Sequence, residues 1–187
     1  VQFTGGSDFC SVGFEMHQGW NLANNQYYCD DAEFYILAAP EPTATATLSP
    51  TFSPTITGTI FPTSTPTVTA TKQAVELDNP GFETGDTTGW YRVFNSDKLY
   101  VTGAEYGCEP HSGNYMFGGT HSYDSAGAAE IIYAVAQCEP GVEYIFRGWA
   151  FTHTVGGTAG DNRVRLAADP SGGAAFSVQG DWHTANE

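Results

Sequence analysis

Positive charge is what this sequence has least of: six Lys and Arg stand against 21 Asp and Glu, a formal net charge of −15 over 187 residues. A phosphate backbone finds almost no counter-charge on such a chain, so nucleic-acid binding is excluded as an expectation, and an anionic membrane surface is excluded by the same sign. Long apolar runs are missing as well. No window approaches the roughly 18 consecutive apolar residues of a membrane span, and the opening at Val1 has neither a basic nor an apolar leader, so no membrane insertion or signal peptide is expected. An opening without Met reads as a processed or cropped chain.

Motifs that carry chemistry are equally scarce. The sequence contains no Gly-x-Ser-x-Gly elbow, phosphate-cradling glycine loop, His-Glu-x-x-His pair or dinucleotide fingerprint. His17, His111, His121, His153 and His183 are scattered without metal-ligand spacing and read as turn or surface residues. Carboxylates are too plentiful for a glycosidase pair to stand out, so no catalytic residue is assigned and no enzyme is expected. The Asn-x-Ser/Thr acceptor is absent too, which excludes N-glycosylation.

What is present is glycine (22), proline (10), an aromatic share of 14% and four cysteines, the composition of a secreted all-β protein in an oxidising compartment. It divides the chain into an aromatic head (residues 1–38), a Thr/Pro/Ser tape (39–73) and a Gly- and aromatic-rich body (74–187). In the tape every odd position from Thr43 to Thr71 is Thr or Ser except Phe61, while even positions are largely apolar or proline. A period of two with β-branched residues describes an extended path, and the prolines keep that path out of a central ladder position. A solvated mucin-like spacer has the same composition. The hydroxyl row Thr43, Thr45, Thr47, Thr51, Thr55, Thr57, Thr59, Thr63, Thr65, Thr67, Thr69 and Thr71 offers acceptors for O-linked glycans.

In the body, strand-like runs (Leu99–Thr102, Asn114–Phe117, Ala129–Gln137, Glu143–Thr152, Arg163–Ala167) alternate with turn signals such as Cys138-Glu-Pro-Gly141 and Asp169-Pro-Ser-Gly-Gly173. No segment holds a 3.6-residue apolar stripe, so the fold class is all-β, a β-sandwich or jelly roll.

Several of these segments look familiar. Asn79-Pro-Gly-Phe-Glu83 followed by Gly89-Trp90, then His111-Ser-Gly-Asn-Tyr115, Cys138-Glu-Pro-Gly-Val-Glu-Tyr144 and Arg147-Gly-Trp-Ala-Phe151 resemble, in order, the opening strand and later turns of galactose-binding-like jelly rolls, the architecture of several carbohydrate-binding module families. The last three strands of that family resemble segments of the head: Val1–Thr4, Phe9–Met16, and Gln26–Tyr35 with its Asp30-Asp31 pair. The resemblance thus covers all but the tape, and it implies a cut inside the domain. Reading Glu187 directly into Val1 restores the family's spacing.

A sandwich lacking three strands exposes unpaired backbone and apolar surface, so the head must complete a body. Three arrangements do this: closure within the chain, for which the tape's reach of about 100 Å is ample; donation of the head to a neighbouring subunit; or covalent tandem repetition. The last two make a homopolymer, because a head-to-tail contact that does not close generates a filament. The source of the Asp30-Asp31 strand separates them: a neighbour's strand favours the polymer, the chain's own strand favours a self-contained sugar-binding domain.

The resemblance also implies a structural Ca2+ at the meeting of the two family signatures, with Glu83 and Asp31 as side-chain ligands and Asp78 or Asp30 as substitutes; hard oxygen donors suit that ion. The cysteines allow three pairings, of which Cys10–Cys29 with Cys108–Cys138 is the simplest and the head-to-body ones would staple subunits. Trp20, Phe151 and Trp182 are candidates for stacking on sugar rings, with Arg147, His153 and Arg165 as polar neighbours, while Trp149 reads as core. Two functions are therefore expected in order: a subunit or repeat of an extracellular, O-glycosylated fibre at the cell surface, and, as the alternative, a polysaccharide-binding module of a secreted glycoside hydrolase or surface protein.

Overall fold

The computed structural model describes residues 1–18, 24–37, 72–93, 98–121, 127–155, 162–181 and 183–184. Among them there are strands and turns but no helix: β1 Gln2–Thr4, β2 Phe9–Gln18, β3 Asn24–Leu37, β4 Lys72–Val75, β5 Tyr91–Val93, β6 Leu99–Thr102, β7 Met116–His121, β8 Gly127–Gln137, β9 Glu143–Val155, β10 Asn162–Asp169, β11 Val178–Gln179 and β12 His183–Thr184. They form two antiparallel sheets packed as a sandwich. The first has the order β1-β9-β3-β7-β6 with β4 also on β3; the second has the order β11-β10-β2-β8-β5 with β12 also on β10.

Strict alternation builds the core between the sheets. Along β2, Cys10, Val12, Phe14 and Met16 are all fully buried, and Ile132, Ala134 and Ala136 of the adjacent β8 and Tyr144 and Phe146 of β9 in the facing sheet belong to the same core. Two aromatic stacks fill the interior. Phe3, Phe34 and Tyr144 lie nearly parallel at one end, and Trp90 joins Phe14 to Phe82 further along. Gly148 is required by this packing, because a Cβ there would collide with the Phe14 ring of the opposite sheet. One ion pair is taken inside: Glu130 is buried against the Arg92 guanidinium, which also donates to the Leu99 carbonyl at 3.0 Å and lies 5.2 Å from the Phe117 ring.

The head lies at the centre of both sheets. β2 is inserted between β8 and β10, β3 between β7 and β9, and β1 closes the edge on β9. Here the chain's own head completes its own body. The tape's far end is strand: Lys72 and Gln73 belong to β4, whose residues Lys72 and Val75 pair with Leu37 and Phe34 of β3. Leu37 and Lys72 are thus ladder partners although 34 residues, 38–71, separate them in sequence. The Thr acceptors from Thr43 to Thr71 lie outside the described residues.

Candidate functional site

The site grows from a break in the β3–β9 ladder. Asp30 pairs with Trp149 but Glu33 pairs with Arg147, so β3 carries one extra residue at this point, and Asp31 takes up the bulge with φ 45°. The bulge resets the alternation so that Ala32 and Phe34 return to the core. It also leaves Asp30 and Asp31 beside the turn that opens the body, where the Ala32 amide donates to the Pro80 carbonyl at 3.0 Å.

Three acidic side chains approach Gly81 here. A Cβ on Gly81 would lie 3.2 Å from Asp31 Oδ1, 3.5 Å from Asp30 Oδ1 and 3.7 Å from Glu83 Cγ. Each is served by protein donors. Asp30 accepts the Asp31 amide at 2.8 Å on one oxygen and the His111 and Ser112 amides at 2.8 and 3.4 Å on the other. Asp31 takes the Ser112 hydroxyl at 2.8 Å and the His111 ring nitrogen Nδ1 at 2.5 Å. Glu83 accepts the amides of Asn114 and Tyr115 at about 3 Å, capping a turn where Gly113 has φ 64° and no room for a side chain. Asp78 stands apart beside Gly89. Calcium takes hard oxygens of this kind. Yet among the described residues no group of three or more His, Cys, Asp or Glu is arranged to hold a metal ion, and the carboxylates expected as ligands serve here as hydrogen-bond acceptors.

His111 extends the network to the surface. Its ring stacks on Trp149, centroids 3.8 Å apart at 18° between planes. Ser112, His111 and Asp31 have the composition of a hydrolase triad but not its connectivity: the Ser112 hydroxyl donates to Asp31 and not to the imidazole, so no base is placed on it. Burial, with the neighbouring Asp31 charge adding to it, pushes the Asp30 carboxyl up to about 6 against the pull of three backbone amides.

Beside this network lies a hollow of about 320 Å³ on the outer face of the first sheet, walled by Tyr28, Met116, Trp149 and Phe151, with Asp30, Glu109 and His111 at its polar side. Trp149 is 56% exposed, so its reading as core is corrected: Arg147, Trp149, Phe151 and His153 occupy alternate positions of β9 and share the face opposite to buried Phe146. The period of two that placed β9 carried that signal, and aromatic bulk hid it. Phe151, the predicted stacking residue, does lie on this face, 6.1 Å from the Tyr28 ring. Trp20 and Trp182 lie outside the described residues. His153 is 6.4 Å from Phe151, and Arg165 belongs to the second sheet, paired with Glu15 at 2.8 Å.

The cysteines depart from the simplest pairing. Cys10 is bonded to Cys138, Cα atoms 5.8 Å apart, because Cys10 faces Ala136 in the β2–β8 ladder and Cys138 lies just past the end of β8. Cys29 and Cys108 are buried thiols: Cys29 belongs to the core between the sheets, and Cys108 packs with Tyr28 and Met116 on the other side of the first sheet. The single bridge therefore ties head to body. Compared with known proteins, the chain matches no family model, no curated protein and no solved structure.

Proposed function

We propose that this protein is a unit of an extracellular, O-glycosylated fibre, in which strands β1–β3 of one copy complete the galactose-binding-like jelly-roll body of the next. The observation that carries this reading is the pairing of Leu37 with Lys72. Antiparallel neighbours that follow each other in sequence are commonly joined by about two to five residues, and connections beyond about 15 are uncommon inside a compact domain. Here the connection has 34 residues, in which Thr or Ser alternates with residues that are largely apolar or proline. A segment of that length spans about 100 Å when extended, enough to run from one sandwich to another. Closure of the head on its own body favours a self-contained domain; exchange between copies would use the same β2–β8 and β3–β9 contacts.

The test uses the secreted full-length chain. Exchange places each Cys10–Cys138 bond between two copies, so non-reducing denaturing electrophoresis should give a ladder that collapses to monomer on reduction, and the unreduced unit mass should exceed the 20.0 kDa of the polypeptide by its Thr-linked glycans. A single monomer band at every protein concentration, together with monomeric gel filtration, rejects the fibre.

A second reading, a carbohydrate-binding module, is favoured by a different observation. Trp149 is 56% exposed beside Phe151 on the outer face of the first sheet, and the His111 ring stacks on it. Exposed aromatic faces set in a polar surround suit the apolar faces of sugar rings. Binding of soluble oligosaccharides to the monomer, lost on Trp149→Ala, supports it. Absence of binding across neutral, amine-bearing and acidic glycans removes it.

A further inference from the structure

The hollow beside Trp149 has walls of one chemistry and a charge of one sign. Tyr28, Met116, Trp149 and Phe151 supply aromatic and soft apolar surface, and the carboxylates at its lining are Asp30 and Glu109. No Lys or Arg lines it. Arg147 stands on the other side of Trp149, in the neighbouring depression with Asp31 and Glu33. We propose that this hollow binds a sugar residue carrying a free, protonated amine, with the ring on Trp149 and Phe151 and the ammonium toward Asp30 and Glu109. The proposal rests on the sugar-binding reading above and narrows its ligand class.

Three features carry it. Asp30 is 3% exposed, and three amide donors fill three of the roughly four acceptor positions of its carboxylate, leaving one that no basic side chain at the lining supplies. Tyr28 is 1% exposed and its hydroxyl has no hydrogen-bond partner, so the wall holds an unsatisfied polar group. Aromatic faces attract a cation through their quadrupole, and the chain's charge of −15 raises the local concentration of cationic ligands while repelling uronic acids and sulfated sugars. A volume of about 320 Å³ lies at the small end of ligand pockets and suits one ring of a chain that continues over Phe151 and His153. Tyr28 and Asp30 come from the head strand β3, Trp149 and Phe151 from the body strand β9, so the hollow exists only where head and body have joined.

The experiment is calorimetric titration of the full chain with four hexamers of matched length: a glucosamine oligomer, its fully N-acetylated form, a neutral glucan and a galacturonate, at a pH where the amine is protonated. The glucosamine oligomer is expected to bind about tenfold more tightly than the acetylated and neutral forms, an advantage that shrinks with salt and on Glu109→Gln. Trp149→Ala, at an exposed position, is expected to fold and to abolish binding of all of them. Equal affinity for acetylated or neutral oligomers overturns the amine assignment and leaves sugar binding standing, as does tightest binding of the galacturonate. Binding of none of the four overturns both.

Discussion

Trp149 rests on His111 with ring centroids 3.8 Å apart, and the same imidazole is tied through Nδ1 to Asp31 on the bulge of β3. The exposed indole is thereby fixed from below by a residue that is itself fixed, which keeps an aromatic surface presented without burying it. Ring contacts of this kind contribute about 0.5–1.5 kcal/mol beyond area burial. His111→Ala is expected to lower unfolding free energy by about 1 kcal/mol. In a double-mutant cycle with Trp149→Ala the two losses should not add. Urea unfolding of the four proteins measures this, and strict additivity means that the rings do not support each other.

A larger cost is expected at the buried ion pair. Glu130 is fully buried against Arg92. Removing the carboxylate by Glu130→Ala takes the fully buried member out of the pair, at a cost of about 3–5 kcal/mol. Replacing both partners by apolar residues, Glu130→Leu with Arg92→Met, should recover much of that loss, because an apolar pair carries no desolvation penalty. A double variant as unstable as Glu130→Ala contradicts this account and assigns the cost to lost shape or to the Leu99 carbonyl contact.

How much of this was legible beforehand differs from place to place. Residues 99–102, 129–137, 143–152 and 163–167 read as strands between turn signals and each lies within a strand, whereas the run 114–117 reaches only the start of β7; the head segments 9–16 and 26–35, singled out by resemblance, lie within β2 and β3. The two- and three-residue strands β5, β11 and β12 were not read, since so short a run carries no period. Two antiparallel sheets agree with the all-β sandwich expected. At the site, Asp30, Asp31 and Glu83 were singled out by motif; Asp30 and Glu83 are met by backbone amides of His111, Ser112, Asn114 and Tyr115, which a sequence does not display, and Asp31 by the side chains of His111 and Ser112. Trp149 was misassigned because a large aromatic is more often buried than presented. The Cys10–Cys138 bond was out of reach because it depends on the β2–β8 register, a contact between residues 128 apart.

Stability should also report on Asp30. Burial raises its carboxyl from 3.8 to about 6, so between those values the folded chain keeps a proton that the unfolded chain has released. The sign follows from linkage: where the folded state binds more protons, stability falls as pH rises. The contribution is complete below about pH 4 and lost as pH passes through about 6. Melting temperature measured across this range should therefore fall less steeply, or rise more, in Asp30→Asn than in the wild type. Parallel curves for the two proteins would falsify the shift.

The cysteine arrangement makes the last expectation quantitative. One bridge and two buried thiols imply that each chain releases two thiols to a labelling reagent under non-reducing denaturation, and almost none when native, because Cys29 and Cys108 are 1% and 8% exposed. Four thiols mean that Cys10–Cys138 does not form, and none means that Cys29 and Cys108 have found partners elsewhere. The bridge closes a loop across a separation of 128 residues, so paired Cys10→Ser and Cys138→Ser substitutions are expected to cost about 2–5 kcal/mol, most of it through the unfolded chain. Because one half of the bridge lies in the head and the other in the body, the same substitutions remove the covalent tie between them and leave the β2–β8 ladder in place. A fibre of exchanged heads should then survive in native buffer and dissolve in denaturant without reductant. A fibre that still resists denaturant in the double variant is held together by some other bond.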